Sequence, residues 1–251
     1  MAPKPPFPNT RPAFSVGWRA IHGWTTDGYS KAGVRQPSHN LWLELSISLP
    51  YASEIGRMSI SFIPFRLTIC GIPELDEHCA AGVTHIVSIR DPEWPDPPAF
   101  AKFAPHWRLE LRFHDVIEPS PHHLAPSRND VARLLGFGRE LNDCAGSHLL
   151  VHCHAGVSRS TAAAALIMVQ MHPGRPARVA LDTVARMRPR AWPNLRMLEF
   201  GDALLERNGE IVAAASAVYR RALEREPSMH EAMINGGRGR EINAALAPAT
   251  R

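Results

Sequence analysis

Between residues 65 and 225, short apolar runs alternate with longer stretches that have helical periodicity. The short runs predict β-strands at 65–72, 83–89, 107–113 and 148–152. The longer stretches, separated by proline or glycine, predict helices at 74–81, 131–144, 162–171, 177–187, 195–207 and 211–225. Alternation of the two kinds of element predicts an α/β fold with a central, mostly parallel sheet flanked by helices.

The two ends of the chain depart from this pattern. Residues 1–57 hold seven prolines and five glycines without a sustained period, and we expect a poorly structured N-terminal extension. Met58 lies shortly before the first predicted strand, and we expect residues 1–57 to be an unfolded extension or a misassigned start, with an arm that orders on a partner as the alternative. Residues 58–226 are expected to form one domain. The glycine-, arginine- and alanine-rich residues 227–251 are expected to form a flexible C-terminal tail.

The most informative segment is the ten-residue sequence His152–Thr161, HCHAGVSRST. It lies between a predicted strand and a predicted helix, so its backbone N–H groups gather at a helix N-terminus, where an anion is stabilised. Cys153 and Arg159 have five residues between them, one of them a glycine. This Cys-x5-Arg segment, residues 153–159, is called the phosphate loop below, and its predicted chemistry is phosphoryl transfer onto sulfur.

Each residue type in the loop suits one task in that chemistry. Helix dipoles and a nearby cation favour the thiolate form that a nucleophilic cysteine requires, and a guanidinium binds two phosphate oxygens at once. The hydroxyl of Ser160 is placed to donate to the sulfur, and His152 is expected to orient the loop rather than act as a base. The remaining residues would bind phosphate through their backbone: His154, Ala155, Gly156, Val157 and Ser158.

The residues His152-Cys153-x-Ala155-Gly156-x-Ser158-Arg159-Ser160 resemble the phosphate loop of the cysteine-dependent protein tyrosine phosphatase superfamily. The resemblance is closest to its compact dual-specificity-like, bacterial-type branch, and it extends from about Arg66 to Leu205. It implies that Cys153 is the nucleophile, that Arg159 binds phosphate, that Ser160 supplies the loop hydroxyl, and that residues 58–226 are a phosphatase domain.

The resemblance also implies an aspartate that protonates the leaving group from a loop after a strand. Asp115 follows the predicted strand 107–113 and lies 38 residues before Cys153, and it is the preferred general acid. Glu118, on the same loop, and Asp91, after the strand 83–89, remain alternatives.

Beyond the loop, residues 186–194 resemble the Arg-Pro…Pro-Asn stretch that packs near the phosphate loop in dual-specificity phosphatases. Asn194 would then support the loop, and Arg188 or Arg190 could lie at the rim of the substrate entrance. The simpler interpretation is a helix that ends before Pro189, followed by a turn.

Composition limits the partners and the compartment. The net charge of +4 comes from the ends, because residues 58–207 carry equal numbers of acidic and basic side chains. A neutral domain lacks the broad basic field of a nucleic-acid binder.

The sequence contains no run of 18 apolar residues, so it predicts no membrane-spanning helix. Four cysteines in 251 residues do not make a disulfide scaffold, so a cytoplasmic protein is expected. The 13 histidines lack zinc-site spacing, and no metal or cofactor is expected.

Together these features predict a phosphomonoester phosphatase that works through a phosphocysteine intermediate. Its substrate would be a phosphotyrosine-containing protein or a small phosphomonoester, with phosphoserine and phosphothreonine accepted if the pocket is shallow. A phosphoinositide phosphatase is disfavoured, because the loop contains none of the lysines that match extra ring phosphates. A rhodanese-like sulfurtransferase and a non-catalytic phosphopeptide-binding module are the alternatives from other classes.

Overall fold

The computed structural model describes residues 63–141 and 146–248. Within them, four strands form one sheet in the order β1-β4-β2-β3, and every neighbouring pair is parallel. The strands are β1 (Arg66–Gly71), β2 (His85–Arg90), β3 (Trp107–Arg112) and β4 (His148–Cys153). The predicted α/β fold with a parallel central sheet is confirmed. The predicted extension 1–57 and the proposed start at Met58 lie outside the described residues.

Seven α-helices lie in the described part of the chain. They are α1 (Arg128–Glu140), α2 (Arg159–Met171), α3 (Ala177–Met187), α4 (Leu195–Leu204), α5 (Glu210–Arg225), α6 (Met229–Asn235) and α7 (Gly239–Leu246). Two 3₁₀ helices, Ile72–His78 and Pro98–Lys102, follow β1 and β2. None of the helices described here combines the length and the apolar character that crossing a membrane requires.

The centre of the domain is β4 with the helix that follows it. All six residues of β4 are buried between β1 and β2. Helix α2 is buried from Arg159 to Val169, and its run of four alanines, 162–165, lets the neighbouring helices and the sheet approach closely. Because the strands are parallel, their carboxyl ends share one edge of the sheet, where ligands bind in such folds.

Helix α1 begins with an N-cap at Ser127. The Ser127 hydroxyl accepts a hydrogen bond from Asp130 N at 3.2 Å, and the Asp130 carboxylate accepts one from Ser127 N at 3.0 Å. This reciprocal pair satisfies two N–H groups that the first turn leaves open. The helix therefore starts at Arg128, three residues before the predicted start.

The C-terminal region differs from the expected flexible tail. Residues 229–246 form α6 and α7, and Ile242 and Ala245 of α7 are buried in the core that α5 also lines. The glycines that suggested flexibility lie in and beside the turn between the helices, where Gly237 has φ of +75°. Such a backbone conformation favours glycine. The prediction of a flexible tail is therefore wrong for residues 229–246.

The contact between α4 and α2 provides a test of the packing. A methyl group at Gly201 would overlap the side chain of Leu166, which is fully buried. Gly201→Ala should therefore lower the free energy of unfolding by about 1–3 kcal/mol, the usual cost of overpacking. Gly136→Ala in α1 is the matched control, because its added carbon meets only the end of Arg139, and it should stabilise by about 0.5–1 kcal/mol. Urea denaturation measures both, and equal effects would contradict the packing described.

Candidate active site

The predicted nucleophile and its neighbouring hydroxyl meet at the carboxyl end of β4. Cys153 is the last residue of that strand and is 2% exposed. Its Sγ lies 3.2 Å from the Oγ of Ser160, in the first turn of α2. The sulfur therefore has a hydroxyl in hydrogen-bonding reach and a helix N-terminus beside it, the environment that stabilises negative charge.

Gly156 lets the phosphate loop fold tightly against β1. Its φ is +68°, and a Cβ there would lie 2.5 Å from the carbonyl carbon of Cys70 and 2.7 Å from Gly71 N. Those atoms belong to the backbone of β1 and cannot move aside. Glycine is thus required both for the backbone angle and for the space.

Arg159 is held as a buried cation whose Nε donor is unused. The side chain is 3% exposed, and Nη1 donates to Asp91 Oδ1 at 2.5 Å and to the carbonyl of Phe113 at 2.7 Å. These two residues come directly after β2 and β3. The Nε atom is buried and has no hydrogen-bond partner among the described residues. A buried N–H donor normally has an acceptor, so this N–H is open to an acceptor that the described residues do not supply.

A second arginine braces the loop from outside. Arg188 donates to the carbonyl oxygens of Gly156 and Ala155, at 3.1 and 3.4 Å, and pairs with Glu74 at 2.8 Å. Burial opposes the ionised form of Glu74, but hydrogen bonds from Arg188 and Gly71 N outweigh it and lower the pKa. The sequence offered Arg188 or Arg190 for the rim of the substrate entrance, and the guanidinium of Arg188 here contacts the loop backbone.

Asn194 ties the loop to the predicted acid. It is fully buried, and its backbone N donates to the carbonyl of Ser158 at 3.3 Å. Its Nδ2 donates to Asp115 Oδ1 at 2.9 Å, and its Oδ1 caps α4 by accepting from Met197 N at 3.1 Å. The structure therefore brings Asn194, the phosphate loop and Asp115 together.

Asp115 lies on the loop between β3 and α1, residues 113–126, called the acid loop below. Its Oδ1 accepts hydrogen bonds from Ser158 Oγ at 2.8 Å, from Asn194, and from Arg238 Nη1 at 3.1 Å. Burial opposes ionisation of the carboxyl, but the charges of Arg238 and Arg159 and these hydrogen bonds outweigh it. The pKa of Asp115 therefore lies well below its usual range.

The two rival carboxyls lie in different surroundings. Asp91 pairs with Arg159, the guanidinium expected to bind phosphate, and its side chain is 24% exposed. Glu118 is 54% exposed and pairs with Arg240. Asp115 and Asp91 thus contact residues of the phosphate loop directly. Glu118 instead pairs with Arg240 of the C-terminal segment.

The two histidines beside Cys153 hold the loop at its edges. His152 Nε2 lies 2.8 Å from Ser88 Oγ on β2, and burial lowers the pKa of His152 to about 3. A neutral, hydrogen-bonded imidazole suits an orienting role. His154 Nε2 accepts from Asp91 N at 3.3 Å, and its ring packs against Trp94 with centroids 4.5 Å apart. Trp94 is 45% exposed and places an aromatic surface beside the loop.

Sequence reasoning missed three charged residues around the site: Arg238, Glu241 and Glu74. The first two lie in the segment interpreted as a tail. The apolar spacing of Ile242 and Ala245 was the available signal for a helix there. Among the described residues, no three histidine, cysteine, aspartate or glutamate side chains are grouped so as to hold a metal ion.

Several solved structures are similar to this chain over part of its length. Human DUSP28 is 20% identical, with 58% of this chain and 97% of that chain covered and a TM-score of 0.44. DUSP15 is 24% identical, with 65% and 94% covered and a TM-score of 0.42. The Yvh1 phosphatase domain from Chaetomium thermophilum is 20% identical, with 58% and 93% covered and a TM-score of 0.37. No family model matches the sequence, and no curated protein matches it. Because one fold hosts many functions, function is argued from the site.

The hydrogen bonds of Asp115 predict how stability depends on pH. Asp115→Asn should lower the free energy of unfolding at neutral pH by about 2 kcal/mol, since hydrogen bonds to a charged group contribute about 1.5–3 kcal/mol. The pKa of Asp115 is lower in the folded chain than in the unfolded chain. Its stabilisation is therefore complete above the unfolded value, about 3.9, and is lost as the pH falls through the folded value.

Urea denaturation at a series of pH values measures this effect. The difference between wild type and Asp115→Asn should shrink below about pH 4. Glu118→Gln is the control, because an exposed ion pair contributes little, and it should change stability only slightly throughout. A penalty for Asp115→Asn that stays constant into strong acid would contradict an ionised, hydrogen-bonded carboxylate.

Proposed function

We propose that this chain is a cysteine-dependent phosphomonoester hydrolase that forms a phosphocysteine intermediate. The observation that carries the proposal is the phosphate loop itself. Its thiol lies beside the Ser160 hydroxyl, and its buried Arg159 keeps an Nε donor for which residues 63–141 and 146–248 supply no acceptor. A nucleophile next to an immobilised guanidinium that keeps one N–H open, at a helix N-terminus, suits a tetrahedral dianion.

In the first half-reaction, the Cys153 thiolate attacks phosphorus and an S–P bond forms as the bond from phosphorus to the leaving oxygen breaks. The guanidinium of Arg159 and the backbone N–H groups of residues 154–158 stabilise the charge on the three equatorial oxygens. Asp115 gives its proton to the leaving oxygen. Although Asp115 is ionised in the free protein, an incoming dianion beside it favours the protonated carboxyl.

In the second half-reaction, water attacks the phosphocysteine. Asp115, now a carboxylate, takes a proton from the water as its oxygen bonds to phosphorus. The S–P bond breaks, and the electron pair returns to Cys153 as a thiolate. Ser160 lies 3.2 Å from that sulfur and stabilises it as a leaving group through its hydroxyl.

The preferred substrate is phosphotyrosine. The half-exposed Trp94 packs on His154, the loop residue that follows the nucleophile, and offers a surface on which a phenol ring can stack. The loop contains no lysine to bind additional phosphates on an inositol ring. Both features favour a phosphorylated aromatic side chain over a phosphoinositide.

Cys153→Ser should abolish turnover of aryl phosphates while leaving phosphate binding intact, because the loop donors remain. Steady-state hydrolysis and calorimetric titration with inorganic phosphate measure the two properties. Cys79→Ser is the matched control, since that thiol contacts the carbonyls of Leu75 and Ala99 away from the loop. It should keep full activity.

Two outcomes would overturn the proposed function, and the second is checked by an added assay of sulfur transfer. One is full turnover by Cys153→Ser. The other is a wild-type protein that hydrolyses no aryl phosphate or phosphopeptide but transfers sulfur from thiosulfate to cyanide, as a rhodanese-like enzyme would.

Asp115→Asn should lower kcat by about 10²–10⁴, the usual contribution of general acid catalysis, and the loss should be smallest for substrates with good leaving groups. Asp91→Asn should instead weaken phosphate binding and raise KM, because it releases the guanidinium of Arg159. Glu118→Gln should change neither quantity. A series of aryl phosphates that differ in leaving-group pKa measures these effects.

The leaving-group dependence decides which carboxyl is the acid. If Asp91→Asn shows the loss that grows with leaving-group pKa and Asp115→Asn does not, the roles assigned here are reversed.

A further inference from the structure

The C-terminal segment reaches the candidate active site through one side chain. Arg238 is the N-cap residue of α7 and follows the turn at Gly237. The helix behind it is anchored by the buried Ile242 and Ala245. Arg220 of α5 donates to the carbonyl of Ala245 at 2.9 Å and so holds the far end of the helix. The backbone that carries Arg238 is therefore fixed by contacts away from the site.

The guanidinium of Arg238 connects the acid loop to the phosphate loop. Its Nη1 donates to Asp115 Oδ1 at 3.1 Å and to the Asp115 carbonyl at 3.3 Å. Its Nη2 donates to Ser158 Oγ at 3.0 Å, and that same hydroxyl donates to Asp115. Arg238 is 11% exposed, so these hydrogen bonds form in surroundings that strengthen them.

A buried carboxylate holds Arg238 in this orientation. Glu241 is fully buried and accepts from Arg238 Nε at 2.7 Å and Nη2 at 2.9 Å. It also accepts from Leu195 N at 3.0 Å and from Trp192 Nε1. Trp192 in turn donates its backbone N to the carbonyl of Val157 in the phosphate loop at 2.9 Å. The planar guanidinium is thus clamped between two carboxylates, with geometry that a lysine cannot copy.

We propose that Arg238 is a positioning residue of the hydrolase, which holds the carboxyl of Asp115 against Ser158 at the edge of the phosphate loop. The inference rests on the proposed function, since it assigns Arg238 a role through the general acid. The acid loop has no helix or long strand of its own between β3 and α1. Fixing one carboxyl on such a loop takes several donors, and Arg238 supplies the charged one.

The test is a double-mutant cycle between Arg238 and Asp115, with hydrolysis of phenyl phosphate and of an activated aryl phosphate as readouts. Arg238→Met should lower kcat on phenyl phosphate by about 10- to 100-fold, since small misplacements of a catalytic group can cost about 10²-fold. The loss should be much smaller on the activated substrate, which needs no acid. Inhibition by inorganic phosphate should change little.

The decisive result is the effect of Arg238→Met in the Asp115→Asn background. If Arg238 acts through Asp115, the second substitution should add less than about a threefold loss, because coupled residues are not additive. Losses that multiply, or that are equal for both leaving groups, would overturn the inference in favour of a general structural role.

Two further variants distinguish a loss of positioning from a loss of folding. Arg238→Lys keeps a positive charge beside Glu241, so it should fold. A single ammonium group cannot reproduce the separate hydrogen bonds of the two guanidinium nitrogens to Asp115 and Ser158, so the loss of kcat should be intermediate, with the same leaving-group dependence. Arg221→Met removes an equal charge from α5, where Arg221 pairs with Asp182 of α3 rather than with α7, and it should keep kcat. Thermal unfolding of each variant records folding. A wild-type protein without Cys153-dependent hydrolysis would defeat the proposed function, whereas an active enzyme with an additive cycle would defeat only this inference.

Discussion

The pairing of the buried Arg159 guanidinium is the constraint on which the architecture of the site depends. A charge removed from water requires charged or polar partners, and those of Arg159 are Asp91 and the Phe113 carbonyl. One follows β2 and the other follows β3. Because β2 lies beside β4 and β3 lies beside β2 in one parallel sheet, the carboxyl ends of β2 and β3 bring both partners to the phosphate loop. The order of the strands therefore determines where the Arg159 guanidinium is held.

A second charged network begins one residue away. Ser158 contacts both Asp115 and Arg238, and Arg238 continues to the buried Glu241. Two carboxylates share a single guanidinium here, and Asn194 and Ser158 add neutral donors to the Asp115 oxygen that also accepts from Arg238. Several hydrogen bonds within one buried polar network make it rigid. The network therefore links the C-terminal helices to the acid loop, and the adjacency of Ser158 and Arg159 joins it to the first network.

Local sequence predicted most elements of the fold because burial repeats along each of them. The predicted helix 177–187 has the bounds found for α3, and the predicted strands agree with the structure within two residues. Arg238 was missed for a physical reason. Glycines on both sides of it suggested a flexible chain. One of them, Gly237, instead adopts a positive φ in the turn before α7, and α7 packs on the core.

The sequence by itself determined the phosphate loop, because Cys153, Arg159 and Ser160 are neighbours along one strand–loop–helix unit whose geometry follows from local hydrogen bonding and dipoles. It also determined that Asp115 lies on a loop after a strand. Only the tertiary structure decided which distant groups complete the site. Arg238 lies 123 residues after Asp115 along the chain, and their pairing depends on how α7 packs against α5. No local periodicity encodes such a contact, because burial of charge is satisfied in space rather than along the sequence.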